Sequence, residues 1–332
     1  MTAPDAPAPD ISILLVTSYH GWRLTERCIE SLMPQSVPAC RIQIVLVDND
    51  SPDDTPQQVR RYPDVAYLRL DRNYGFAVAN NRGVPLCRAP LVFVLNNDTV
   101  AAPGAIAALV AAARALPHVD SFAPQMIQLK QPELVDTRGL YLDATAHVRQ
   151  VDHGHPVAGG PATREVFGPS GGAALIRRAL LDRIGLYDEA LFTYIEDSDW
   201  ACRARGVGAR CAYVPESHIL HEGSATTERI PDMKLYHLTR NRRIVRRRWL
   251  RLRVWQPTWW LAVGSEWYQA VKATRAGQRA VVRRAIRDAR SFSSSLASWA
   301  TDEARARLVP WIGVPARPLE DHQRVAAADT AR

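Results

Sequence analysis

The feature that most constrains this chain is a repeated alternation of short, nearly continuous apolar runs with helical patterns, each run ending in a polar cluster. Ile11–Val16 reads as a strand buried on both faces, Ile42–Val47 and Leu91–Leu95 read as further strands, and Val65–Leu70 as a short one. Between them, Leu24, Cys28, Ile29 and Leu32 recur at helical spacing until Pro34. Further helices are expected over Thr55–Arg61, with Ser51 or Asp53 as its cap, and over Phe76–Leu86. A helix over Pro103–Arg114 and a strand over Ala173–Ile176 extend the pattern. Strand, helix, strand at this spacing implies right-handed crossovers, hence an α/β fold on a mostly parallel, Rossmann-like sheet.

In such sheets ligands bind outside the carboxyl ends of the strands. Three of those tips are polar: Thr17-Ser18-Tyr19-His20, Asp48-Asn49-Asp50 and Asn96-Asn97-Asp98-Thr99. Any one of them is explained by turn formation or helix capping. Three on one sheet edge predict a ligand site. The chain has neither a Gly-x-Gly-x-x-Gly loop after its first strand nor a Gly-x-x-x-x-Gly-Lys loop, which argues against dinucleotide oxidoreductases and P-loop phosphotransferases.

Composition narrows the setting. The five cysteines are odd in number and form no Cys-x-x-Cys pair, which favours a reducing compartment over a disulfide framework or a cysteine-rich zinc site. The first ten residues are Pro/Ala-rich and acidic and read as a disordered leader. No window offers eighteen uninterrupted apolar residues, which argues against a transmembrane helix. Charge is strongly asymmetric. Residues 1–239 carry 22 basic and 27 acidic side chains, whereas residues 240–332 carry 20 and 7, a net of +13. That excess points to an anionic partner for the C-terminal segment.

The motif order carries a resemblance. Thr17-Ser-Tyr19, Val47-Asp48-Asn49-Asp50-Ser51, Asn73-Tyr-Gly75-Phe-Ala77-x-x-Asn80-Asn81-x-Gly83 and Leu95-Asn96-Asn97-Asp98-Thr99 are followed by Ser170-Gly171-Gly172, Gly185-x-Tyr187-Asp188-Glu189, Glu196-Asp197-x-Asp199-Trp200 and His221-x-Gly223-Ser224. Over roughly residues 11–250 this series resembles the inverting family 2 glycosyltransferases, and within them bacterial rhamnosyltransferase-like enzymes of cell-surface polysaccharide synthesis. The resemblance implies a GT-A fold and transfer of a sugar from a nucleoside-diphosphate donor, dTDP-rhamnose or a UDP-hexose, to a glycan or polyprenyl-linked acceptor.

The resemblance also implies roles. Asp98 stands at the family's Asp-x-Asp position, with Asn96 as a neutral, weaker ligand in the first place, so that Asp98, Asn96 and His221 would hold Mg²⁺ or Mn²⁺ against the diphosphate. Thr17, Tyr19, Asp48, Asn49, Asn73, Gly75, Asn80 and Asn97 would bind the nucleotide sugar, with Asp48 reading a pyrimidine base. Asp197 would be the general base, and Gly171, Gly172, Glu196, Asp199 and Trp200 would contact acceptor or donor sugar. On the residues alone, Glu196-Asp197-Ser198-Asp199 also reads as a helix N-terminus bearing favourable carboxylates. His218 is a weaker ligand candidate than His221, and His153 and His155 read as loop residues near the acceptor.

The segment Arg240–Arg253 holds eight arginines in fourteen residues, and five of the nine tryptophans, Trp249, Trp255, Trp259, Trp260 and Trp267, join or follow it. Arginine beside tryptophan suits a membrane interface, so residues 240–268 are expected to meet anionic lipid on the inner face of the plasma membrane of a cytoplasmic enzyme. Nucleic acid binding through these arginines and a metal-dependent nucleotidyltransferase activity are the alternatives, and a solvated helix packed on the catalytic domain is the plain structural reading. The organisation expected is a leader over 1–10, a catalytic domain over 11–239 divided near residue 100 into nucleotide-sugar and acceptor halves, and a basic helical segment over 240–332.

Overall fold

The computed structural model describes residues 8–145, 147–223, 231–251, 255–275 and 277–319. Along the chain β1 (Ile11–Thr17), α1 (Trp22–Leu32), β2 (Ile42–Asp48), α2 (Thr55–Gln58), β3 (Ala66–Arg69), α3 (Phe76–Gly83) and β4 (Leu91–Asn96) alternate as the apolar periodicity predicts. Then come β5 (Thr99–Ala101), α4 (Ala105–Ala115), β6 (Ser121–Gln128), β7 (Val135–Thr137), β8 (Leu140–Leu142), β9 (Val148–Gln150), β10 (Arg164–Val166), β11 (Ala173–Arg177), α5 (Arg178–Ile184), α6 (Glu196–Gly206) and β12 (Cys211–His221). Four helices close the chain: α7 (Pro231–Trp249), α8 (Pro257–Arg275), α9 (Arg279–Arg290) and α10 (Asp302–Leu308). Where Ser51 or Asp53 was expected to cap α2, the N-cap position is Asp54, whose side chain makes no cap bond, and Asp53 Oδ1 instead accepts from the Thr55 backbone N–H at 3.2 Å.

The main sheet runs β3-β2-β1-β4-β11-β6-β12-β10, with β5 paired to β12 and β7 to β6. β3, β2, β1 and β4 are mutually parallel, whereas β11 is antiparallel to both β4 and β6. β1 therefore sits where strand order reverses. The register sets Thr17 opposite Asp48 and Val16 opposite Asn96, which brings the three polar tips to one edge. Ala173 opens β11 opposite Leu95, so Gly171 and Gly172 arrive there too. β12 runs parallel to β6 and ends at the same edge, with β5 setting Thr99 opposite His221.

Because β1 and the bulk of β2 and β4 are buried on both faces, the core splits into two layers. One packs β1 and β4 against Cys28, Ile29 and Leu32 of α1 and Ile106 and Leu109 of α4. The other packs Leu14 and Val94 against Ala77 of α3, Leu181 of α5 and Trp200 of α6. A third apolar cluster joins Cys202 of α6, Ile244, Val245 and Trp249 of α7, and Leu308 of α10.

Three expected boundaries shift. The line at residue 100 divides no core, since β4 pairs with β11 inside one sheet. The line at 239/240 falls inside α7, whose C-terminal half is buried against α6. Residues 1–7 of the expected leader lie outside the described residues, but Asp10 is already anchored: its Oδ2 accepts from the Arg41 backbone N–H at 2.8 Å, and its Oδ1 pairs with Arg114 at 2.9 Å. Ser224, Arg253 and the chain from residue 320 on also lie outside the described residues. All five cysteines are buried and free.

Candidate active site

The sheet edge opens into a cleft of about 590 Å³, roofed by α7 and the 192–198 segment. Tyr19, Asn49, Asn73, Gly75, Asn96, Asn97, Asp98, Gly171, Gly172, Glu196, Asp197 and His221 all line it. At the tip of β2, Asn49 organises the loop after β3. Its Nδ2 donates to Asn73 Oδ1 at 3.0 Å, and its Oδ1 accepts from the Tyr74 N–H at 2.9 Å. Gly75 follows at φ +86°, and a Cβ there would lie 2.5 Å from the Phe192 ring, so only glycine lets the loop pass.

Five expected contact residues lie outside the lining. Thr17 is fully buried, its Oγ1 accepting from Thr25 Oγ1 at 2.9 Å. Asp48 is fully buried with both oxygens engaged, Oδ1 by the Ser51 N–H at 2.7 Å and Oδ2 by the Tyr67 hydroxyl at 2.6 Å. Asn80 is turned into α3, its Nδ2 donating to the Phe76 carbonyl. Asp199 and Trp200 are buried away from the cleft: the Trp200 indole donates to the Gly185 carbonyl, and Asp199 accepts from Arg248 Nη1 at 2.7 Å and Trp249 Nε1 at 2.8 Å. The helical period turns Asp199, two positions after Asp197, to the opposite face, whereas Trp200, one turn on from Asp197, is taken up by the core layer with Leu14 and Val94. Of the histidines, His153 lines the cleft, while His155 and His218 do not.

The candidate metal ligands meet at the end of β12. His221 Nε2 lies 3.3 Å from Asp98 Oδ1, and both atoms are buried without a hydrogen-bond partner. On its other side, His221 Nδ1 is 2.7 Å from Asp136 Oδ2. Burial favours a neutral imidazole, but the bond to Asp136 and the charge of Asp98 outweigh it and push the ring up to about 10. A cation here would displace the proton that the His221–Asp98 pair holds; with the ring neutral, Asp98 Oδ1 and His221 Nε2, the imidazole oriented by Asp136, form a donor set that fits a divalent cation. Among the described residues no group of three or more His, Cys, Asp or Glu could hold a metal, so a cation here would take its remaining ligands from water and phosphate. Asp136 carries no local signal in the sequence; only the pairing of β7 with β6 brings it here.

Across the cleft, Phe192, Tyr194 and Ile195 have φ of 68°, 62° and 70°, a strained run without glycine. It is clamped from α7. The buried Asn241 Nδ2 lies within 2.9 Å of the carbonyl oxygens of Leu191, Thr193 and Tyr194. The strained run delivers Glu196 and Asp197 to the first turn of α6. Asp197 Oδ2 accepts from the Gly171 N–H at 2.9 Å and Oδ1 from the Ser198 N–H at 2.6 Å. A Cβ on Gly171 would stand 3.1 Å from that of Asp197. Burial raises the Asp197 carboxyl against those hydrogen bonds, and burial together with the Asp197 charge pushes Glu196 up to about 8. Of the two carboxylates, Asp197 accepts from two backbone N–H groups while Glu196 Oε2 lacks a donor, so the ionised form is better supported on Asp197.

The arginine segment is mostly spent within the protein. Arg248 pairs with Asp188 at 2.9 Å and Asp199 at 2.7 Å, and Arg243 and Arg246 share Glu266 of α8 at 2.5 and 2.6 Å. Trp260, Trp267 and Tyr268 are 63%, 69% and 61% exposed on α8, with Trp255 70% exposed just before it, and Arg247 of α7 and Arg283, Arg284, Arg287 and Arg290 of α9 are exposed as well. Among the described residues no helix is long and apolar enough to cross a membrane.

The family model described as glycosyl transferase family 2 matches residues 13–185. A N-acetylglucosaminyl-diphospho-decaprenol L-rhamnosyltransferase from Mycobacterium tuberculosis is 29% identical over 253 residues, covering 67% of this chain and 79% of the relative. The succinoglycan biosynthesis protein ExoU of Rhizobium meliloti is 27% identical, covering 62% of this chain and 60% of that protein. Among solved structures, GalNAc-T7 with UDP, GalNAc and Mn²⁺ superposes with a TM-score of 0.57 at 17% identity, covering 92% of this chain and 59% of that one. A mannosyltransferase from Pyrobaculum calidifontis in complex with GDP-Man and Mn²⁺ superposes with a TM-score of 0.52 at 18% identity, covering 92% and 87%. Both likenesses bear on the fold, which is GT-A.

Proposed function

The chain belongs to glycosyl transferase family 2, a family of glycosyltransferases, and on that premise we propose a metal-dependent, inverting transfer from a nucleoside-diphosphate sugar to a lipid-linked or glycan acceptor in cell-surface polysaccharide synthesis. The observation that carries this reading is the facing pair of orphan atoms, Asp98 Oδ1 and His221 Nε2, in one cleft with Asp197. Asp98 and His221, with Asn96 beside them, would hold Mg²⁺ or Mn²⁺. A divalent cation there supplies charge neutralisation of the diphosphate leaving group.

The remaining chemistry belongs to the chain. Asn49 and Asn73 hold the loop that supports the nucleotide, and the exposed Tyr19 ring offers a face for the base. Asp197 is the base. Three donors, the N–H groups of Gly171 and Ser198 and the Ser198 hydroxyl, let it carry the negative charge while its neighbour Glu196 stays protonated. As the acceptor oxygen bonds to the anomeric carbon from behind, its proton passes to Asp197 and the bond to the diphosphate breaks with its electron pair. A single displacement inverts the configuration and requires one base. Glu196, neutral, is left to donate to the acceptor.

The nucleotidyltransferase alternative is not favoured by the family, and of the arginines that prompted the nucleic acid reading, Arg243 and Arg246 are paired with Glu266 and Arg248 with Asp188 and Asp199. For membrane contact we propose the α8 face rather than those arginines: Trp260, Trp267 and Tyr268 recur at i, i+7 and i+8 and form one exposed aromatic stripe. The named Mycobacterium relative, an N-acetylglucosaminyl-diphospho-decaprenol L-rhamnosyltransferase, supports a lipid-linked acceptor and L-rhamnose as the sugar.

Calorimetric titration of the full chain with dTDP-, UDP- and GDP-sugars, with and without Mg²⁺ or Mn²⁺, tests the donor site. Metal-dependent binding of one nucleotide class, weakened about 10–100-fold in Asp98→Asn and in His221→Ala, is expected. A folded chain that binds no nucleotide sugar with either metal would overturn the reading.

A further inference from the structure

The cleft has a cationic wall that the donor does not account for. Lys234, Leu238 and Arg242 stand at i, i+4 and i+8 on α7 and all line the cleft, joined by Arg149 of β9. Arg149 is paired, its Nε 2.8 Å from Asp143 Oδ2. Arg242 is different. Its Nε is buried without a hydrogen-bond partner, and no ion pair is seen for it among the described residues. Burial and the nearby Arg149 charge destabilise its guanidinium, and Asp143, already engaged by Arg149, is the acidic group that offsets them.

Arg242 also sits at a junction. In a small neighbouring cavity it meets Ile195 and Ser198, which flank the segment bearing Asp197. On the other side, Arg149 and Arg242 border a groove of about 120 Å³ in which Leu235, Leu238 and Val282 supply the apolar surface, next to the mutually paired Arg243 and Glu266. An under-compensated guanidinium between a reaction cleft and an apolar groove calls for a ligand that is anionic at one point and greasy beyond it. Arginine is suited to the first requirement because its planar fork matches phosphate oxygens two at a time.

We propose that Arg242 and Arg149 bind the phosphate groups of a lipid-diphosphate acceptor, with the lipid running into the Leu235–Leu238–Val282 groove and the acceptor sugar presented to Asp197. The assignment rests on the glycosyltransferase reading with a lipid-linked acceptor and adds to it the residues that bind the acceptor's phosphates and lipid. The arrangement selects acceptors by the charge next to the lipid, so a neutral alkyl glycoside lacks the contact that seats it.

The test uses the full chain and decyl diphosphate, with decyl maltoside as the neutral control, in calorimetric titrations below their micelle concentrations. Decyl diphosphate is expected to bind, and Arg242→Gln and Arg149→Gln are each expected to weaken it about tenfold while leaving decyl maltoside and nucleotide–Mn²⁺ affinities unchanged. Arg242→Lys, which keeps the charge and loses the fork, is expected to fall between. Thermal unfolding of each variant verifies that it folds. No binding by the wild-type chain, or equal affinity in the Gln variants, would overturn the proposal. Displacement of decyl diphosphate by saturating nucleotide–Mn²⁺ would overturn it by assigning the arginines to the donor diphosphate. A matching tenfold loss on phosphatidylglycerol vesicles would overturn it by assigning them to bilayer headgroups. Failure of nucleotide binding in the wild type would instead sink the donor reading, and the decyl diphosphate titration would still report on the arginines.

Discussion

Arg248 Nη1 and Asp199 Oδ1 lie 2.7 Å apart in an ion pair closed to solvent, and through it the arginine-rich helix is bolted to the helix that carries Asp197. Asp199 also accepts from Trp249 Nε1, and Arg248 reaches Asp188 as well. Removing the arginine leaves two buried carboxylates without their main partner. Arg248→Met is therefore expected to lower unfolding free energy by about 3–5 kcal/mol, read from urea denaturation. A loss below 1 kcal/mol would mean that the pair is not closed in solution.

Asn241 tests the strained run. Its amide holds three carbonyl oxygens, those of Leu191, Thr193 and Tyr194, in a segment whose φ angles are costly. Asn241→Ala is expected to cost about 2 kcal/mol and to lower kcat roughly tenfold, while nucleotide affinity, set on the sheet edge, stays put. Asn241→Asp should be worse than Ala, because it sets a carboxylate against three carbonyls. Equal kcat in all three proteins would defeat the clamp.

The two carboxylates at the start of α6 separate by function. Asp197→Asn is expected to lower kcat by about 10²–10⁴ with nucleotide-sugar binding retained. Glu196 makes a pH prediction. Its folded-state carboxyl titrates near 8, above its unfolded value, so the folded chain holds an extra proton between the two. Stability is then highest below that window and falls as pH rises through 8. Thermal unfolding followed from pH 5 to 9 should show a decline of several degrees in the wild type that is flattened in Glu196→Gln. Parallel curves would place the titration elsewhere.

The aromatic stripe on α8 is testable apart from catalysis. Trp260→Ser combined with Trp267→Ser is expected to weaken partition onto phosphatidylglycerol-containing vesicles by about tenfold or more, by removing the apolar area that inserts. Turnover of a soluble acceptor should not change. Unaltered vesicle binding would return the stripe to a different role.

What the sequence determined by itself is what depends on near neighbours. Ile11–Thr17, Ile42–Asp48 and Leu91–Asn96 announced themselves as continuous apolar runs, and their polar tips followed, because a strand buried on both faces has to end where its side chains turn polar. The alternation also implied right-handed crossovers and a polar sheet edge, whereas the order β3-β2-β1-β4 and the antiparallel β11 came only with the structure. The tertiary structure decided which members of each motif face the cleft. Thr17, Asp48, Asn80, Asp199 and Trp200 sit inside recognisable motifs yet serve the protein's own hydrogen bonds, a distinction made by the face of the strand or helix they fall on.

It also decided the partners that no local pattern announces. Asp136 meets His221 across 85 residues, Asn241 meets Tyr194 across 47, and Arg248 meets Asp188 across 60. The positive φ angles of Phe192, Tyr194 and Ile195 had no glycine to mark them, since their cost is met by those distant contacts. An arginine run reads from sequence only as charge. Whether each guanidinium faces water, a buried carboxylate or an empty cleft depends on which helix packs against it, and that is settled only when the chain has closed on itself.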